Sequence, residues 1–124
     1  MAHTVSWEAD YLYRKFTGEI TGEEILKSNF DIQTHPYFTK IKYLVNDFSE
    51  TQSILIDPEY ARIFALTDDI ISATKGRLKI AIVTNNDTII ELTKDYYAAM
   101  ENKLFKCETF STLEEAMNWG QQEL

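Results

Sequence analysis

The chain has 124 residues, 44% of them hydrophobic and 26% charged, with a formal net charge of −8. That size and apolar content suffice for one domain, residues 1–124, with its own core and no metal or disulfide staple. The acidic balance excludes nucleic acid and anionic membrane surfaces as general partners, because both bind by having their own negative charge neutralised.

Lys and Arg are scattered, and the densest pieces, Arg14-Lys15 and Lys75-Gly76-Arg77, are too short to follow a phosphate backbone. Cys107 is the single cysteine, so an intrachain disulfide is impossible, which suits a reducing compartment. The opening MAHTVSWEAD has no basic segment followed by an apolar one, and no window approaches the roughly 18 apolar residues of a membrane span. A soluble protein of the cytoplasm is expected.

In chain order, HTVSW sets His3, Val5 and Trp7 on one side of a strand; after Glu8-Ala9-Asp10 the segment YLYRKF returns to complete a hairpin. Thr21 and Glu24 have capping-box spacing ahead of apolar Ile25, Leu26 and Phe30. A helix therefore starts there and runs to about His35, where Pro36 disfavours its continuation. IKYLVND is apolar enough to be covered on both faces, as in the centre of a parallel sheet.

Asp57 then caps a helix with Pro58 at its first position, where the missing N–H costs nothing. Its predicted buried stripe is Tyr60, Ile63, Phe64, Ile70 and Ile71, and Lys75-Gly76 closes it. LKIAIVT is a second buried strand, followed by a helix capped by Asp87 with Ile89, Leu92, Tyr96 and Met100 inward. LFKCETF is the last strand, and Ser111 to Glu114 reads as a capping box for a helix with Leu113, Ala116 and Met117 inward.

The order ββαβαβαβα defines an α/β fold. It is a single mixed, mostly parallel sheet with a leading antiparallel hairpin and four helices, since crossovers through helices make successive strands parallel.

Two strands end in polar runs, KYLVNDFSE and KIAIVTNND. Ligands of parallel sheets sit beyond the carboxyl ends of strands, where helix N-termini offer free N–H groups. Asn46, Asp47, Ser49, Thr84, Asn85, Asn86 and Asp87 are thus candidate ligand-binding residues for a small polar molecule. Crowding of Asp47, Asp57 and Asp87 favours a cation, a hydroxyl-rich ligand or a basic partner over phosphate. The same residues equally suit helix caps and turns.

Catalytic chemistry has little to stand on. His3, His35 and Cys107 lack paired metal-ligand spacing, and adjacent Asp68 and Asp69 diverge by about 100° around a helix, so they cannot share a proton. There is no Gly-rich phosphate loop and no Gly-x-Ser-x-Gly elbow. No enzyme, cofactor or metal site is expected. The pairs Tyr37-Phe38 and Tyr96-Tyr97 each direct one ring outward, and with Trp119 they are candidate interaction residues for a protein partner, a homodimer or an apolar ligand groove.

The element order resembles the STAS domain, and in particular the SpoIIAA-like family. The resemblance also rests on FTGEITGEEI after the second strand, THPYF ahead of the third, LVNDFS at its end and STLEEAMNW in the closing helix, and so spans nearly the whole chain. It implies a module that is typically non-enzymatic; relatives bind partner proteins, nucleotides or lipids.

Switch-type antagonists of this kind carry Asp-Ser-Ser-Gly or a similar run at the start of the helix after the third strand, where a serine is phosphorylated. The matching place here reads Ile56-Asp57-Pro58-Glu59, without a hydroxyl, and neither Ser49 nor Ser53, the latter expected in a loop, reproduces the motif. The phosphoserine switch is therefore not expected. Two readings remain: a non-catalytic interaction or regulatory module, and a binder of a small polar or lipid-like ligand at the strand ends or between helices.

Overall fold

A computed structural model of the chain describes residues 3–122. Strands β1 (His3–Trp7), β2 (Tyr11–Thr21), β3 (Tyr43–Leu55), β4 (Leu78–Val83) and β5 (Phe105–Phe110) form one sheet in the order β1-β2-β3-β4-β5. β1 lies antiparallel to β2, and β2 to β5 run parallel to one another. Four α-helices follow the strands: α1 (Gly22–Gln33), α2 (Glu59–Lys75), α3 (Asp87–Ala99) and α4 (Leu113–Gln121). A short 3-10 turn, Pro36–Lys40, precedes β3. This is the mixed α/β sheet that the alternating periodicities predict.

The pleat sorts side chains into two compartments. Leu12, Phe16, Leu44, Phe48, Ile80 and Phe105 pack against Ile25 and Ile32 of α1, Ala65 of α2, and Ile89 and Tyr96 of α3. On the other face Tyr43, Val45, Ala81 and Val83 meet Ala116 of α4. β4 and the first part of β3, Tyr43 to Phe48, are thus covered on both sides, which is why their sequences are mostly apolar.

Helix α4 lies close to the sheet because Gly120 has no side chain: a Cβ there would fall 2.4 Å from the Tyr43 ring, itself stacked on Tyr11 at 4.9 Å. Lys79, from β4, donates through Nζ to the carbonyls of Trp119 and Gln122 at 2.8 and 2.7 Å. Its ammonium satisfies carbonyls that the end of the helix leaves free and complements the negative end of the dipole.

Several local expectations are corrected. β3 does not stop at Asn46-Asp47 but continues to Leu55. Pairing with β4 ends where Asp47 meets Val83, while β2 follows β3 to the Thr21–Leu55 pair with two register shifts. The partner strand satisfies the backbone of the extension, so polarity did not end the strand. Ser49 and Ser53 consequently lie in a strand.

Helix α1 ends at Gln33, because His35 takes the extended conformation that Pro36 demands. Helix α2 starts at Glu59 with Pro58, not Asp57, at its N-cap and no side-chain cap there; Asp57 instead accepts from the Glu59 N–H at 3.0 Å in the turn just before the helix. The cap of α3 is Asn86, accepting from the Ile89 N–H at 3.1 Å, with Asp87 inside the first turn. For α4 the box is shifted by one: Thr112 Oγ1 accepts from the Glu115 N–H at 3.2 Å and donates to its carboxylate at 3.0 Å.

Buried faces also differ. In α2 the residues facing inward are Ala61, Ala65, Asp68 and Ser72, with Tyr60, Phe64 and Ile71 packed partly alongside. Ile63 and Ile70 point outward, as do Phe30 of α1 and Leu113 of α4. Small residues let α2 approach the sheet, so its bulky aliphatic face is left to solvent.

Candidate functional site

The compartment beneath α1, α2 and α3 contains charge as well as apolar packing. Arg14 lies between Leu12 and Phe16 on β2, and its alternation turns it onto the same face, where it is 2% exposed. Its partner across the parallel ladder is Asn46, set between Leu44 and Phe48 in alternation. Arg14 Nε donates to Asn46 Oδ1 at 2.8 Å, and Nη1 donates to Ser28 Oγ of α1 at 2.9 Å. The guanidinium carbon stands 4.9 Å from the Phe16 ring centroid, a further source of stabilisation.

Helix α2 brings Asp68 into the same compartment, where it accepts from Gln33 Nε2 at 2.9 Å and from the Tyr96 hydroxyl at 2.7 Å. Between these polar groups and the apolar walls is a cavity of about 110 Å3, lined also by Phe48, Phe64, Ile82 and Leu92. It is on the scale of engineered apolar cavities of about 150 Å3 that take up benzene. Asn29, Gln33, Phe64 and Leu92, which line it, are themselves partly exposed, so the cavity approaches solvent between the helices.

Burial brings Arg14 down to about 10, against the raising influence of Asp68, so the guanidinium stays charged at neutral pH. Burial pushes the Asp68 carboxyl up, opposed by the bonds from Tyr96 and Gln33 and by the charge of Arg14. The Tyr96 phenol is raised by burial and then by Asp68, and burial pushes up the Cys107 thiol as well. A thiol so placed is not an activated nucleophile.

On the opposite face Asp47 accepts from the Tyr13 hydroxyl at 2.5 Å and from the Ser49 N–H at 2.9 Å. Burial would push its carboxyl up, but the bonds from Ser49 and Tyr13, with the nearby Lys15, outweigh burial and hold it below the usual carboxylate range. Lys15 in turn pairs with Glu50.

The strand-end residues are therefore divided. Asn46 faces the cavity, whereas Asp47 faces the α4 side. Ser49 contributes its N–H to Asp47, and buried Thr84 accepts from the Asn86 N–H at 3.0 Å. Asn86 caps α3, and Asn85 and Asp87 are exposed. Among the aromatics, Phe38 and Tyr96 are buried while Tyr37 and Tyr97 are exposed, the division that each pair predicts. Trp119 is half-buried, its ring 5.5 Å from that of Phe110.

Arg14, Ser28, Gln33 and Asp68 are missing from the sequence-based candidates. Arg14 carried a signal in its alternation with Leu12 and Phe16; the others depend on which helix face turns inward. The outer face of α2 was also missed: Ile63, Leu66 and Ile70 are 38%, 64% and 66% exposed, at spacings that put them on one side.

The architecture is that of a STAS-like α/β module. No family model matches the sequence, and no curated protein matches it. Its fold is SpoIIAA-like. The anti-sigma factor antagonist SpoIIAA in its unphosphorylated form superposes with a TM-score of 0.62 at 12% identity, covering 98% of this chain and 100% of that one. SpoIIAA in its phosphorylated form, a Bacillus cell fate determinant, gives 0.58 at 13% identity over 95% of this chain and 98% of that one. An uncharacterised DUF3478-family protein with a SpoIIAA-like fold, from Shewanella loihica PV-4, gives 0.53 at 16% identity over 95% and 91%. At these identities the likeness shows the fold alone. Among the described residues no helix is long and apolar enough to cross a membrane.

Proposed function

We propose that the chain is a non-catalytic STAS-like interaction module that docks a protein partner on the outer face of α2 and has no phosphoserine switch. The observation that carries this reading is the exposed stripe of Ile63, Leu66 and Ile70. Covering the exposed part of one such aliphatic side chain is worth about 1–2 kcal/mol, so a partner gains from a surface that the fold itself leaves in water.

The net charge of −8 opposes self-association and favours a partner with a basic rim around an apolar patch, ahead of a homodimer. SpoIIAA, which shares the fold, is described as an anti-sigma factor antagonist, a role exercised on another protein. The turn ahead of α2 supports the missing switch, since Asp57, Pro58 and Glu59 stand where a serine would be needed and Asp57 is engaged by the Glu59 N–H.

The test is a photoreactive residue at Leu66, introduced in cells of the source organism. One discrete heavier adduct is expected, absent when Ile70→Glu is added and absent when the probe stands at exposed Lys106 on β5. An adduct of twice the chain's mass would replace the partner by a second copy, and no adduct at all would overturn the reading.

The cavity favours a second reading, a small lipid-like or otherwise amphipathic ligand held between the helices and the sheet. Its polar end would be Arg14 and Asn46 and its walls the apolar side chains of the compartment.

A further inference from the structure

We propose that the cavity takes a compact apolar carboxylic acid, with a single ring or a chain of about six carbons, and seats its carboxylate on Arg14. This rests on the ligand-binding reading of the cavity and narrows it to one chemical class.

The first ground is charge. Arg14 is 2% exposed, yet both of its side-chain acceptors, Asn46 Oδ1 and Ser28 Oγ, are neutral. Among the described residues no carboxylate reaches it within ion-pair distance. Asp68, on the same cavity, acts on it only from beyond ion-pair distance, so the buried cation is incompletely compensated and an arriving carboxylate would supply the missing direct pair. The Asp68 oxygens are engaged by Gln33 and Tyr96 and make no hydrogen bond to the guanidinium.

Geometry supplies the second ground. The bonds to Asn46 and Ser28 use two of the five guanidinium N–H groups, and Arg14 lines the cavity. The planar fork matches a carboxylate bidentately, which an ammonium could not do. Asn46 and Ser28 fix that fork from β3 and α1, so the donors are oriented before a ligand arrives.

Size and polarity set the rest of the molecule. A volume of about 110 Å3 accommodates one ring or a short chain and is too small to enclose a long acyl chain, whose tail would be left in water. The walls offered by Leu44, Phe48, Phe64, Ile82 and Leu92 outweigh the polar Asn29, Gln33 and Thr93, so the body of the ligand is mainly apolar. Asp68 on the same cavity opposes a second negative charge and therefore sets the affinity; it is faced by Arg14 from β2, Gln33 from α1, Tyr96 from α3 and Cys107 from β5.

Titration of the full chain with benzoate, toluene and decanoate at pH 7, followed by calorimetry and by the NMR resonance of the Arg14 Nε–H, tests this. Benzoate is expected to bind and to shift that resonance, toluene to bind at least ten-fold more weakly, and decanoate not to bind. Arg14→Met should weaken benzoate at least ten-fold, and Asp68→Asn should tighten it several-fold. If Arg14→Met does not fold by circular dichroism, the resonance and Asp68→Asn decide.

Toluene binding as tightly as benzoate, with the Arg14 resonance unmoved, would overturn the carboxylate and leave an apolar ligand cavity. Decanoate binding as tightly as benzoate would overturn the size limit and with it the compact class. No binding of any of the three at millimolar concentration would remove the ligand-binding reading as well.

Discussion

Asn46 and Asp47 are neighbours in the chain, and the pleat sends them to opposite faces of the sheet, where they serve different ends. Asn46 meets a guanidinium in a compartment under three helices that still contains open volume. Asp47 meets Tyr13 and Ser49 on the side where α4 packs so closely that a glycine is needed. Polar residues on the α4 side are consumed in holding the fold, whereas those on the three-helix side border space. The residue types are alike; what separates a structural polar group from a receptive one is whether any volume remains beside it.

Added volume should expose that contrast most strongly. Gly120→Val is expected to destabilise by about 2–3 kcal/mol, because Tyr43 is buried and stacked and cannot yield. Leu92→Phe, which adds bulk at the cavity, should change stability by less than about 1 kcal/mol. Urea unfolding of both variants decides, and equal losses would dissolve the distinction between the faces.

The two buried carboxylates should then respond oppositely to pH. Asp47 is held below its unfolded value, so its contribution is present above about pH 4 and lost as pH falls through the folded value; Asp47→Asn should remove about 1–3 kcal/mol at pH 7. Asp68 is held above its unfolded value, so stability present below about pH 4 is lost as pH rises through the folded value. Asp68→Asn should flatten that decline. Urea midpoints measured between pH 3 and 8 would show both slopes, and a single common slope would contradict the opposite shifts.

The most local effect concerns the end of α4. Lys79→Met leaves the carbonyls of Trp119 and Gln122 without their cation and should cost about 1–2 kcal/mol, read as faster amide exchange in the last turn of that helix and nowhere in α1 to α3. Uniform acceleration across the chain would show instead that Lys79 supports the whole sheet.

Much of the fold was legible because its signals are local. The runs through Val45 and through Ala81 announce strands covered on both faces, and Thr21 caps its helix as its spacing predicts. What could not be read depends on distant partners. β3 continues past Asp47 because β2 supplies its hydrogen bonds, and nothing within LVNDFSE records that. Helix α2 offers two helical stripes, and hydropathy favours the bulkier one; the fold buries Ala61, Ala65, Asp68 and Ser72 instead.

That choice requires partners for Asp68 from Gln33 and Tyr96, residues 35 and 28 positions away. Part of the polar cluster was within reach: reading Arg14 with Leu12 and Phe16, and Asn46 with Leu44 and Phe48, would have placed both on the helical face. The adjacent acids show the limit from the other side, since Asp69 pairs with Lys103 at the surface while Asp68 is buried.

The oppositely directed Asn46 and Asp47 also act on assembly. If β3 docked against β2 one position out of step, every side chain of the strand would change sides. A carboxylate would then enter the layer of Leu12 and Phe16, Leu44 would leave it, and Arg14 would lose its amide acceptor. Each such error is heavily penalised, so the observed register is strongly specified. The two residues that interrupt the hydrophobic run thereby serve as an alignment mark for the folding sheet.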